Sequence, residues 1–292
     1  MVVAIFGKVV ETEYLPAVGE LINQLVEHNV ETWVYKPFME YLLEIYPVNL
    51  PVCEVFSSDS EICGKANILI SIGGDGTFLD SVSFVRSSGL PIMGINFGRL
   101  GFLANIAIPD MHNAIDLLIA GRFKVEHRSM LEVVSTLEQF NTFPFGLNDF
   151  TMQKAGSGFL KVNAYVNGEY LCAYWADGLI VSTPTGSTAY SLSVGGPIVS
   201  PNLSVFILSA IAPHNLTVRP LVINDDSILL LEAVGRDGNV MLSLDSRSIT
   251  CKSPVTVTVK KAPFFANVVT MEGSSFYHTL RGKLLWGMDK RN

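Results

Sequence analysis

The first third of the chain alternates short apolar runs with stretches in which apolar residues recur at helical spacing. The runs typical of buried strands are residues 2–6, 32–35, 67–72 and 91–95. Helical spacing covers residues 15–27 and the segment after Thr77. This alternation predicts βαβ units and a parallel, doubly wound sheet, in which ligands bind at the carboxyl ends of the strands.

The pattern changes after a predicted helix at residues 111–119, which Gly121 closes. Short β-type runs follow at residues 131–135, 161–166, 170–174, 227–234, 240–244 and 255–259. Asn167-Gly168 joins two of them and is a strong hairpin signal. We therefore predict an α/β domain over residues 1–105 and a β-rich, antiparallel and sandwich-like domain over residues 106–274.

Composition narrows the classes of protein. A chain of 292 residues is long enough to bury two hydrophobic cores. Only 16% of its residues are charged and 49% are hydrophobic, and this lean polar surface indicates self-association. The net charge of −7 comes without any run of Lys and Arg. Nucleic acid and anionic membranes are therefore not expected as partners.

Compartment and metal content also follow from the sequence. The stretch between Asp177 and Arg219 lacks charged residues, but repeated Pro and Gly break it, so we expect no membrane span. The N-terminus looks like a first buried strand without an export signal. Four widely spaced cysteines and five scattered histidines predict reduced thiols in the cytoplasm and no protein-held metal site.

A glycine-rich turn at Gly73–Thr77 follows the apolar run 68–72 directly. Glycines let backbone amides approach a ligand closely, and the helix predicted next would present free N–H groups and a positive dipole end. This pattern predicts a phosphate-handling turn. Asp75 is then placed to accept a proton or to hold a metal ion, and the alternative is a tight turn with Asp75 as the helix N-cap.

A second candidate segment is rich in hydroxyl groups. Residues 183–193 contain six Ser or Thr residues and precede Gly195-Gly196-Pro197, which predicts a loop rather than a regular helix or central strand. Such a loop can pack a flat ligand against Tyr190 and bond ribose and phosphate oxygens, or it can be simply solvated. Asn148-Asp149 and Asp177-Gly178 add groups suited to ribose hydroxyls, although each alone is more often a turn or cap.

Taken in order, these motifs resemble the NAD kinase family, in its bacterial form, nearly from end to end. The motifs are Gly73–Thr77, residues 94–103, Asn148-Asp149, Asp177-Gly178 and residues 183–197. The glycine turn alone is shared with lipid kinases and, loosely, with phosphofructokinases. The ordered set is much more specific.

The resemblance implies roles for individual residues. Asp75 corresponds to the catalytic aspartate, Phe102 to an aromatic residue against adenine, and Asp177 to an aspartate near the nicotinamide end. The implied substrate-binding residues are Gly74, Asp75, Gly76, Phe102, Asn148, Asp149, Asp177, Thr188, Ala189, Tyr190, Ser191, Leu192, Ser193 and Asp245. Asp149 departs from the family, which usually has Glu there, so its direct contact with a ribose hydroxyl is open.

The implied activity is transfer of the γ-phosphoryl group of ATP, or of another triphosphate or polyphosphate, to the 2′-hydroxyl of the adenosine ribose of NAD. Mg²⁺ would arrive with the nucleotide. The family also implies a homodimer or homotetramer and a chain end, residues 275–292, that returns to the N-terminal domain. The sequence leaves open the choice between NAD and NADH, and whether Asp75 is a base or positions the metal.

Two other classes of protein remain as alternatives. A lipid or sugar kinase would share the glycine turn, and a sensor that binds dinucleotides without catalysis would share the ligand loops. Arg99, Lys154 and Arg219 are candidate phosphate contacts, with a solvated surface cation as the alternative for each.

Overall fold

The computed structural model describes residues 1–45, 50–98, 101–135, 140 and 142–287. It divides the chain into two compact units. The first unit is Met1–His127 with Asn267–Asn292, and the second unit is Arg128–Ala266.

The first unit is built on a parallel sheet in the order β3-β2-β1-β4-β5, with the end of β18 beside β5. Its strands are β1 (Val2–Gly7), β2 (Glu31–Tyr35), β3 (Glu54–Phe56), β4 (Ile68–Ile72), β5 (Ile92–Asn96), β6 (Ile106–Ala107) and the end of β18 (Val255–Met271). Its helices are α1 (Leu15–Glu27), α2 (Lys36–Ile45), α3 (Asp59–Ile62), α4 (Asp75–Val85), α5 (Met111–Ile119) and α7 (Phe276–Leu284). Strand order reverses between β1 and β4, so the end of β4 lies where such sheets bind ligands.

Apolar residues on one side of each helix build the core of this unit. In α1, Leu15, Val18 and Ile22 are fully buried and face the sheet. Met111 and Ile115 of α5 belong to the same cluster. Because this shared packing holds α5, the first unit extends to His127, beyond the limit at residue 105 that the change of sequence pattern predicts.

The second unit contains two antiparallel sheets, ordered β11-β10-β15-β18 and β14-β13-β12-β9-β16-β17. The strands are β7 (Phe123–Val134, which starts in the first unit), β8 (Phe145–Gly146), β9 (Asp149–Lys154), β10 (Leu160–Val166), β11 (Glu169–Ala176), β12 (Gly178–Ser182), β13 (Val205–Ile211), β14 (Leu221–Asn224), β15 (Leu229–Gly235), β16 (Asn239–Leu244) and β17 (Arg247–Lys252). Val162 and Leu231 of one sheet share a core cluster with Phe150 and Leu242 of the other. The predicted fold class, a parallel α/β part and a β-rich antiparallel part, is confirmed.

The hydroxyl-rich segment differs from the predicted loop. It forms a 3-10 helix at Thr185–Thr188 and a single turn, α6 (Tyr190–Ser193). Local bonds close these turns: the N–H of Ala189 donates to Gly186 O at 2.9 Å and the hydroxyl of Thr188 to Thr185 O at 3.2 Å. Short turns of this kind satisfy the backbone without the apolar stripe that marks a longer helix.

All four cysteines are free thiols. Within the described residues, every helix is too short or too polar to cross a bilayer.

Truncating a buried α1 side chain tests the core of the first unit. Ile22 is 0% exposed, so Ile22→Ala should lower the free energy of unfolding by about 2 to 5 kcal/mol through lost burial and a residual cavity. Ile45 at the end of α2 is 46% exposed and provides the control. Urea denaturation followed by circular dichroism measures both, and equal small losses would contradict this packing.

Candidate active site

The glycine turn connects β4 to α4 as the sequence predicts. Gly74 is the N-cap of α4, and Gly73 has φ +143°, where a Cβ would also collide with the Thr77 side chain. By contrast, a Cβ at Gly74 or Gly76 would meet no heavy atom within 4 Å. The backbone around Asp75 therefore faces open space at a helix N-terminus, which is the geometry that receives phosphate groups.

Asp75 is the first residue of α4 and does not cap it. Its carboxylate instead accepts three successive backbone N–H groups. Oδ2 accepts from Phe102 at 2.9 Å, and Oδ1 accepts from Leu103 at 3.0 Å and Ala104 at 2.9 Å. These bonds fix the orientation of the carboxylate and leave Oδ2, with one N–H, more room than Oδ1 for another donor.

Gly101 precedes these three amides and is placed against the same carboxylate. A Cβ at Gly101 would overlap both carboxylate oxygens of Asp75. Only glycine allows this close approach, so the loop and the α4 N-terminus depend on each other sterically.

Sequence reasoning missed a cation at this site. Lys283 of α7 places Nζ 3.8 Å from Asp75 Oδ2 and 4.6 Å from the centroid of the Phe102 ring. The signal was present in the sequence, because Lys283 follows Phe276 and Leu280 at helical spacing on one side of a short helix.

In the second unit Asp245 repeats the arrangement seen at Asp75. Its carboxylate accepts the N–H groups of Leu147 and Asn148 at 2.8 Å and of Asp149 at 3.2 Å. Its own N–H donates to Asp149 O at 2.9 Å. The structure thus brings Asn148, Asp149 and Asp245 together, with the Asp245 oxygens already bonded to the backbone.

The electrostatics of this cluster are unusual. Asp149 is 7% exposed, and burial together with the neighbouring Asp245 raises its pKa to about 7, against a smaller opposing effect of the hydroxyl of Thr151. Burial also raises the pKa of Asp245, opposed by its three amide bonds and by Arg247. Asp149 therefore changes protonation near neutral pH, as acid–base and ligand-binding carboxylates do.

The hydroxyl-rich segment is mostly bonded within the protein. Thr183 donates to Leu147 O at 2.5 Å, Ser187 bonds to the backbone of Val199, and Ser191 lies 3.2 Å from the Ser209 hydroxyl. These bonds shape the backbone around Asn148.

Two buried hydroxyls in and beside this segment are exceptions. Ser182 Oγ and Thr185 Oγ1 have no hydrogen-bond partner among the described residues. Ser182 lies opposite Asp149 in the pairing of β12 with β9, so their side chains share one face. A buried polar atom without a partner is rare in proteins, which marks this face for an incoming ligand or water.

The other predicted residues have more varied surroundings. Tyr190 is 40% exposed and accepts a hydrogen bond from Gln153 at 2.7 Å, so it is not a core aromatic. Asp177 pairs with Lys154 at 2.7 Å. Arg219 donates to the carbonyl oxygens of residues 216 and 218. The assignment of these residues to a ligand stays a prediction, and Arg99 lies outside the described residues.

The described residues contain no group of three or more His, Cys, Asp or Glu side chains arranged to hold a metal ion. Asp75 is a single carboxylate beside an open helix N-terminus. Such a group fits a Mg²⁺ ion that brings most of its oxygen ligands with a nucleotide and with water.

By class, these features define a nucleotide-binding α/β protein, because an open glycine turn ends a strand at the point where strand order reverses. Comparison with known families is more specific. The model of the ATP-NAD kinase N-terminal domain matches residues 4–123, and that of the C-terminal domain matches residues 147–271. The chain belongs to the ATP-NAD kinase family.

Curated relatives and solved structures agree. NAD kinases of Flavobacterium psychrophilum and Cytophaga hutchinsonii are 40% and 38% identical, each aligned over 100% of both chains. A yeast NADH kinase complexed with NADH superposes with a TM-score of 0.86 at 26% identity, over 99% of this chain and 89% of that one. An Archaeoglobus fulgidus NAD kinase in complex with ATP shares the fold, with a TM-score of 0.74 at 24% identity over 98% and 99% of the two chains.

Adding one methyl group at Gly101 tests the coupling of the loop to Asp75. Gly101→Ala should displace the Asp75 carboxylate and lower kcat by roughly 10-fold to 100-fold, because misplacing a reacting group by about 1 Å carries that cost. Phosphorylation of NAD by ATP and Mg²⁺ is the measurement.

Gly282→Ala is the matched control. Gly282 lies inside α7, and a Cβ there would meet no heavy atom within 4 Å. Unchanged turnover is expected, with a small gain in stability. Equal kcat in both variants would mean that the loop adjusts without moving Asp75.

The raised pKa of Asp149 predicts how stability changes with pH. The folded-state pKa of about 7 exceeds the ordinary 3.8, so between these values the folded protein holds more protons than the unfolded chain. Asp149 therefore lowers stability as pH rises from about 4 to 7, by on the order of 4 kcal/mol.

Asp149→Asn should remove this part of the pH dependence. Urea midpoints of both proteins at about pH 5 and about pH 8 measure it, and the wild type should lose more stability between them. Parallel changes in both proteins would contradict the raised pKa.

Proposed function

We propose that this protein is an NAD kinase, which transfers a phosphoryl group from ATP to the 2′-hydroxyl of the adenosine ribose of NAD and forms NADP. The observation that most supports this proposal is the Asp75 carboxylate, which is held at an open helix N-terminus. Both parts of the chain also match ATP-NAD kinase domains. The relatives at 38% to 40% identity are named NAD kinases, and each aligns with this chain over its full length.

Asp75 is proposed to accept the proton of the attacking hydroxyl at Oδ2. Oδ1 accepts two backbone N–H groups and Oδ2 accepts one, so a ribose hydroxyl can donate to Oδ2 without displacing the bonds that hold the carboxylate. The open backbone at Gly74 and Gly76 would bind phosphate oxygens of the donor.

Mg²⁺ is proposed to come with the nucleotide. In the alternative to its role as a base, Asp75 would contribute one oxygen ligand and the phosphates and water the rest, since Mg²⁺ is usually bound in this way. The bound ion would neutralise charge that develops on the phosphate oxygens.

In the second unit, Asn148, Asp149 and Asp177 are proposed to contact ribose hydroxyls, with Tyr190 packed against the dinucleotide. The amide of Asn148 and the protonatable carboxylate of Asp149 offer both donors and acceptors to a diol. The exposed ring of Tyr190 supports a ligand contact.

Self-association and a cytoplasmic location complete the proposal. Large apolar side chains on the surface of the second unit support a homo-oligomer: Tyr170, Trp175, Val222 and Ile228 are 55%, 42%, 45% and 50% exposed. Four free thiols support a reducing compartment. Light scattering of the purified protein and cell fractionation test the two statements.

The function is tested directly with purified protein, ATP, Mg²⁺ and either NAD or NADH. NADP or NADPH should form, whereas diacylglycerol and fructose 6-phosphate should not be phosphorylated. Phosphorylation of one of these acceptors instead would replace this proposal with that of a lipid or sugar kinase.

Asp75→Asn tests the role of the carboxylate. The amide keeps the shape but loses the negative charge, so kcat should fall by roughly 100-fold or more, the usual loss for a general base. NAD affinity, measured by calorimetry, should change little. Asp80→Asn on the same helix, which loses only an exposed ion pair with Lys8, should keep its turnover. More than a tenth of wild-type kcat in Asp75→Asn would remove Asp75 from catalysis.

A further inference from the structure

We propose that Lys283 of the C-terminal helix binds the phosphates of the phosphoryl donor beside Asp75. The proposal rests on the NAD kinase function above and adds a donor-binding residue to it. All the groups that carry it lie in the first unit.

The packing of α7 fixes where Lys283 lies. Ser275 caps the helix by accepting the N–H of His278 at 3.2 Å, and Thr279 and Leu280 are buried. Lys283 follows Phe276 by seven residues, about two turns, and therefore returns to the packed side. The Phe276 and Phe102 rings lie 6.4 Å apart on that side.

The distances around the Lys283 ammonium leave its hydrogen bonds available. Nζ lies 3.8 Å from Asp75 Oδ2, which is too long for a hydrogen bond. Lys8 and Lys154, by contrast, approach their aspartates to 2.7 Å. No acceptor within hydrogen-bond distance of Lys283 Nζ is found in the described part of the chain.

The Phe102 ring, 4.6 Å away, holds the cation without accepting a conventional hydrogen bond. An ammonium group has three N–H donors, so Lys283 is held at the site while its N–H donors remain available to a ligand. Its side chain is 32% exposed, and a ligand can reach it.

The charge balance identifies the ligand as phosphate. The open backbone of Gly74 and Gly76 at the α4 N-terminus attracts anions, whereas the Asp75 carboxylate beside it repels them. Lys283 cancels that negative charge at 3.8 Å and presents N–H donors to oxygen anions. A triphosphate gains most from this arrangement, because its charge lies where the ammonium can bond to it.

The test compares Lys283→Gln and Lys283→Arg with Arg281→Gln in the full-length protein. Arg281 is an exposed cation on the same helix and controls for the loss of a positive charge. Calorimetry measures the dissociation constants of Mg²⁺-adenylyl imidodiphosphate and, separately, of NAD. Melting temperature is recorded for each protein.

Lys283→Gln should weaken the binding of the triphosphate analogue by about 10-fold to 100-fold, the loss expected when a hydrogen bond between charged groups is removed. NAD affinity and melting temperature should stay at the wild-type values, Lys283→Arg should recover part of the analogue affinity, and Arg281→Gln should bind like the wild type.

Unchanged analogue affinity in Lys283→Gln would overturn the proposal. Equal loss of NAD affinity, or a lowered melting temperature in both Lys283 variants, would assign Lys283 to the packing of α7 instead. These binding measurements need no turnover. A wild-type protein that binds the analogue through Lys283 but forms no NADP would therefore contradict the kinase function and leave this inference standing.

Discussion

A carboxylate that accepts three successive backbone N–H groups holds each candidate site together. Asp75 does this for residues 102–104 and Asp245 for residues 147–149. Buried N–H groups need acceptors, and neither loop obtains these bonds from a neighbouring strand. The two aspartates are therefore part of the fold as well as of the proposed chemistry, so truncating either one to Ala would release a loop that carries other candidate site residues.

The same constraint separates the functions of two oxygens in one side chain. Asp75 Oδ1 accepts two N–H groups and serves the structure, whereas Oδ2 accepts one and lies 3.8 Å from Lys283 Nζ. A general base must be firmly positioned and must still have a free lone pair. Dividing these tasks between the two oxygens would meet both needs of the proposed base, and Gly101 leaves room for the carboxylate where any side chain would overlap it.

Local features of the fold can be predicted from the sequence, whereas contacts between distant residues cannot. Helix α1 begins and ends at the predicted residues, because its apolar stripe is regular and Pro16 lies in its first turn. The bonds of Asp75 join residues 27 to 29 positions apart, and those of Asp245 span 96 to 98 positions. No local pattern encodes them. Lys283 was missed because the expected return of the chain end to the first domain does not by itself indicate which side chain of α7 reaches Asp75.

The surroundings of Asp149 explain why an aspartate suits this position, where the resembling family usually has a glutamate. A buried carboxylate beside a second one holds a proton more tightly, and with a pKa of about 7 it is about half protonated at neutral pH. The protonated group can donate as well as accept, whereas the ionised group only accepts. Ser182 Oγ, opposite Asp149 on β12, is buried without a partner among the described residues. A ribose diol also donates and accepts hydrogen bonds, so it can satisfy both groups at once. The short side chain of Asp149 beside Ser182 leaves room for a diol that enters this face. The longer side chain of a glutamate would occupy part of that space.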